Sequence, residues 1–115
     1  MTQLSNEQFL NRFQDSQFVM KTQAQIAKDF ERLGHDTHPS LLAKAVSLEE
    51  LQLIVEEMLA NVVQMGESQT LQLLYIVDIP QAKFLALTTD PDFLSKGAYL
   101  IIRREALKVH LRSIY

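Results

Sequence analysis

His35, Asp36 and His38 are the residues whose types and spacing come closest to reactive chemistry. Two imidazoles and a carboxylate this close together can ligate zinc, with a further ligand drawn from a distant part of the chain. The same segment, Gly34-His-Asp-Thr-His-Pro39, also reads as a connection between helices. Asp36 and Thr37 suit turn and capping roles there. The turn reading is the favoured one and no metal is expected; a metal-dependent activity at these three residues is kept as a second alternative. A carboxylate-bridged iron pair in a helical bundle would call for Glu-x-x-His motifs. None exists, since the residue three places after Glu105 is Lys108.

Covalent chemistry finds less footing. The chain has no cysteine, which excludes disulfides, thiol nucleophiles and cysteine zinc sites. A serine nucleophile needs a base and an orienting acid around an exposed hydroxyl. Ser5 and Ser47 are accounted for as helix caps, and Ser68 is read the same way. There is no Gly-x-Ser-x-Gly elbow, phosphate-binding glycine loop or dinucleotide fingerprint. The acid pairs Glu49-Glu50 and Glu56-Glu57 fall on the solvated side of an amphipathic segment. Neither an enzyme nor a cofactor is expected.

Recognition has a better candidate. Lys96, Arg103, Arg104, Lys108 and Arg112 give residues 96–115 a charge of +4, against −7 for residues 1–95. A row of cations can neutralise phosphates along a nucleic acid. The whole chain is nevertheless acidic, at −3 with a pI of 5.5, and aromatic residues do not interleave with the basic ones. The competing reading pairs Arg104, Lys108 and Arg112 with acids of the 49–57 segment, within one chain or across a dimer. Each such exposed pair contributes only ~0.2–1 kcal/mol, enough to orient and too little to hold a fold.

These residues must be positioned by helices. Ser5 with Gln8 forms a capping box, and a helical pattern runs from there to Leu33, with Gly34 placed to end it. Its apolar residues make two stripes about a quarter-turn apart: Phe9, Phe13, Met20, Ala24 and Ala27, then Val19, Ile26, Phe30 and Leu33. One long helix over 6–33 is favoured over a break near Asp15-Ser16. Pro39 opens a short helix to about Ala45. Ser47-Leu-Glu-Glu50 is a second capping box. Behind it Leu48, Leu51, Val55, Met58, Val62 and Met65 recur at bundle spacing, predicting a helix over 47–65 stopped by Gly66.

Leu71–Val77 could be a buried strand, but a lone strand leaves its backbone unpaired, so a short helix over 70–77 is preferred. A further short helix spans 79–88. Asp90 as cap and Pro91 at the first helical position open the last helix, 91–113. This helix is apolar on two sides. Phe93, Leu100, Leu107, Leu111 and Ile114 form one face; Ala98, Ile102, Ala106 and Val109 form the other. Such a helix is central in its own bundle or shared with a second chain. Gly97 costs it roughly 1 kcal/mol relative to Ala, which suggests that another helix approaches closely there.

With 115 residues, 47% hydrophobic and 22% charged, the chain suits one domain spanning 1–115. Three glycines and three prolines favour long elements over a turn-rich β fold. The amino-terminal residues lack the basic and apolar segments of a secretory signal. The apolar run Ala98–Ile102, five residues long, falls far short of the ~20 that span a bilayer. A cytoplasmic protein without a membrane role is therefore expected.

Leu74-Tyr75, Val77-Asp78-Ile79-Pro80 and Arg104-Glu105-Ala106-Leu107-Lys108-Val109 resemble short all-helical bacterial proteins to which no activity is assigned. The resemblance covers the last third of the chain and implies an all-helical fold but no function. The reading that results is an all-α compact bundle of three main helices plus short ones. It is a non-catalytic interaction or structural module, self-associating through Ala98, Ile102, Ala106 and Val109 or binding another protein. The alternative is a weak nucleic-acid-binding protein using Lys96, Arg103, Arg104, Lys108 and Arg112.

Overall fold

Seven helices and no strand make up residues 3–114, which a computed structural model describes. In chain order they are α1 (Asn6–Arg12), α2 (Ser16–Arg32), α3 (Ser40–Ala43), α4 (Leu48–Gln64), α5 (Glu67–Val77), α6 (Gln81–Leu85) and α7 (Phe93–Ile114). The all-α class is as the sequence indicates. One hydrophobic cluster, with members from all seven helices, forms the core.

The first helical stretch corrects the single helix expected over 6–33. The Ser5 capping box forms, with the Gln8 N–H donating to Ser5 Oγ at 3.1 Å and the Ser5 N–H to Gln8 Oε1 at 3.0 Å. The helix then stops at Arg12, and Asp15 caps a new one by accepting the Gln17 N–H at 2.9 Å. The cause lies in the two drifting apolar stripes. A straight helix would turn one of them away from the core. The break lets Phe9 and Phe18 both be buried, joined through Phe13 at ring distances of 4.7 and 5.9 Å.

Gln23 of α2 is fully buried and staples the following loop. Its amide donates to the carbonyls of Leu41 and Lys44, each at 2.9 Å, and its oxygen accepts the Val46 N–H at 2.9 Å. A polar group in the core is tolerated because its hydrogen-bonding capacity is met. This bond set holds α3 against α2.

Helix α4 starts from the Ser47 cap, which accepts the Glu50 N–H at 3.1 Å, and buries Leu51, Val55, Met58, Leu59 and Val62. Helix α5 begins at Glu67, so Ser68 lies inside its first turn and is not its cap. It ends on Asp78, whose φ of +72° is the left-handed C-cap conformation. Helix α6 stops at Leu85, short of the expected Thr88, and residues 86–88 continue as turns. Helix α7 begins at Phe93; Asp90 accepts the Asp92 N–H at 2.8 Å and so closes a turn just ahead of it.

Helix α7 is the central strut, packed against α2, α4 and α5. Ala98, Ile102 and Ala106 are fully buried and Val109 is 5% exposed, all within one chain. The face expected to bind a second copy is thus core, because α2 and α4 already cover it. Gly97 has the role its position suggested: a Cβ there would sit 2.9 Å from Leu59 Cδ2 and 3.3 Å from the Phe84 ring. No helix among the described residues is long and apolar enough to cross a membrane.

Candidate functional site

The five basic residues of α7 turn inward or along the surface to partners in the same chain. Lys96 pairs with Asp90 at 2.5 Å, and the hydrogen bond between them holds the Asp90 carboxyl below its usual range. Arg104 meets Asp78 at 2.5 Å. Arg103 donates to the Leu4 carbonyl and Asn6 Oδ1, with its guanidinium 4.7 Å from the Phe9 ring centroid. Arg112 donates to Gln25 Oε1. The partners lie at the start of α1, on α2, at the α5 cap and in the 90–92 turn, and not on the Glu49–Glu57 face of α4. A phosphate backbone would have to compete with every one of these contacts.

Lys108 belongs to a buried network that periodicity alone did not reveal. Its ammonium lies 2.8 Å from Asp29 of α2, 2.9 Å from Glu105 one turn back, and 3.1 Å from the Ile76 carbonyl of α5. Gln25 donates to Asp29 at 3.0 Å and links the network to Arg112. Glu105 is fully buried and Asp29 is 1% exposed. Burial first, and then the neighbouring Asp29 carboxylate, push the Glu105 carboxyl up to about 9. Its contact with Lys108 is close, but neither Glu105 oxygen has a well-aligned hydrogen bond from a donor. Burial beside Asp29 therefore favours the neutral form of Glu105, against the opposing pull of the Lys108 ammonium. A sequence signal existed: Glu105 falls in register with Ala98, Ile102 and Val109, the buried face.

His35, Asp36 and His38 line a cavity of about 280 Å³ with Glu57 and Asn61. The Ser40 N–H donates to His38 Nδ1 at 3.2 Å, and His38 Nε2 lies 3.4 Å from Glu57. One imidazole nitrogen is thereby used by the backbone. Among the described residues no group of three or more His, Asp or Glu is placed to share a metal ion.

A larger concave surface lies elsewhere, along the outer side of α7. A trough of about 540 Å³ has Leu4, Ile79, Pro80, Leu100 and Leu107 among its walls, with Asp78, Lys83, Arg103 and Arg104 as its charged groups. It shares Asp78, Ile79 and Pro80 with a hollow of about 520 Å³ beside Tyr75, and Lys83 and Leu100 with one of about 460 Å³ beside Leu87 and Tyr99. Leu100 and Leu107 are half-buried, whereas Tyr75 is 85% exposed. Two members of the first apolar face of α7 thus floor an open trough, while the second face is sealed in the core. No family model, curated protein or solved structure matches this chain.

Proposed function

We propose that this chain is a non-catalytic interaction module that docks another protein surface along the outer side of α7. The observation that carries the reading is the trough floored by half-buried Leu100 and Leu107 and bordered by Ile79 and Pro80. A concave surface that sets apolar side chains beside charged ones is a form in which a docking site desolvates a partner's side chains. The rest of its lining comes from the left-handed α5 cap Asp78, the Ile79-Pro80 corner and Lys83 of α6. Self-association, where it occurs, uses this trough, since Ile102 and its neighbours are enclosed.

The reading is tested by placing a benzophenone amino acid at Leu100, and as a control at exposed Gln64, in the cell that makes the protein. Discrete adducts at position 100 alone, lost when Leu107 is replaced by Asp, support it. Equal adducts at both positions, or none at either, refute it. An adduct of twice the chain mass identifies a second copy as the occupant.

A further inference from the structure

We infer that the trough along α7 receives an acidic, amphipathic segment of a partner protein. Its apolar side chains would seat on Leu100 and Leu107, and its carboxylates would face Lys83 and Arg103. This rests on the docking reading above and adds the chemistry of the occupant.

Charge complementarity carries the inference. Four charged side chains line the central stretch, and two of them cancel, because Arg104 lies 2.5 Å from Asp78. Arg103 donates to the uncharged oxygens of Leu4 and Asn6 and lies against the Phe9 ring, so no acid among the described residues neutralises its charge. Lys83 is exposed and makes no ion pair among the described residues. Two net positive charges therefore flank an apolar floor on a chain whose total is −3. A segment with apolar side chains in a row and acids beside them meets both features at once.

Other occupants fit less well. A second copy joined through the same face would bring two net-positive troughs together, and like charges oppose docking. A nucleic acid backbone has use for the cations but none for the leucine floor. A lipid surface needs apolar side chains that project from the protein. Leu100 and Leu107 are instead recessed between the Ile79-Pro80 corner and α7.

The test is fluorescence anisotropy with two synthetic helical peptides of about 18 residues, roughly five turns. Both carry leucines at helical spacing; one has glutamates beside them, the other lysines. The acidic peptide should bind at about 50 mM salt and weaken as salt screens the charges, while its basic twin should not bind. Lys83→Glu should weaken the acidic peptide about fivefold or more and flatten the salt dependence, and Leu107→Asp should abolish binding. Circular dichroism on both variants confirms that the fold is intact. Equal binding of the two peptides overturns the charge inference and leaves the docking reading standing. So does a dimer by light scattering that Leu107→Asp dissolves, if neither peptide binds. Binding to phosphatidylglycerol vesicles or to a labelled duplex, without peptide binding, overturns it as well. If neither peptide binds and crosslinking at Leu100 also fails, both readings fall.

Discussion

Glu105→Gln isolates the buried network in a way that a stability measurement can read. In the folded chain Glu105 is fully buried beside Asp29 and holds its proton to about pH 9, against an ordinary value of 4.5. Below pH 4.5 the folded and unfolded chains both carry that proton, and stability does not depend on it. Between 4.5 and 9 the unfolded chain has released the proton and the folded chain keeps it, so folding takes one up. Stability then falls by up to about 1.4 kcal/mol for each pH unit gained, and levels off once the folded group also ionises. From pH 5 to pH 8 this amounts to about 4 kcal/mol, a large part of the 5–15 kcal/mol typical of a domain.

Glutamine has nearly the same shape, keeps a donor toward Asp29 and cannot ionise. The variant should match the wild type within about 1 kcal/mol at pH 5 and exceed it by up to about 4 kcal/mol at pH 8. Urea unfolding followed by circular dichroism at pH 5, 6.5 and 8 measures both. A variant with the same pH slope as the wild type would show that Glu105 is ionised in the fold, and the account of the network would be refuted.

Three further outcomes follow from the packing. Gln23→Ala removes three hydrogen bonds and strands the Leu41 and Lys44 carbonyls and the Val46 N–H, so thermal melting should register a loss of about 3 kcal/mol. Gly97→Val adds atoms where even a Cβ lies 2.9 Å from fully buried Leu59, and a destabilisation of about 2 kcal/mol is expected in urea despite better helix propensity. Asp15→Ala deletes the cap of α2 and should cost about 1 kcal/mol in the same assay.

Much of the architecture was legible because it rests on short-range rules. Ser5 with Gln8 and Ser47 announce helix starts, and the 3- and 4-residue spacing behind Leu51 announces a buried seam. Gly97 announced a close approach by its cost to a helix. The boundary errors have local causes as well. The Asp15 cap competed with a continuous apolar pattern, and α5 gained its first turn from Glu67 to Gln69 without any side-chain cap to mark it.

The sequence by itself determined the helices, their caps and which residues are apolar, since each depends on neighbours within about one helical turn. Only the tertiary structure decided which of the two faces of α7 is sealed. Ala98, Ile102 and Ala106 went inside because small and branched side chains let α2 and α4 approach, and Leu100 and Leu107 were left to floor a trough. Packing also chose the partners of the basic residues. Asp29 and Lys108 stand 79 positions apart, and nothing short of the folded chain brings them to 2.8 Å beside the buried Glu105.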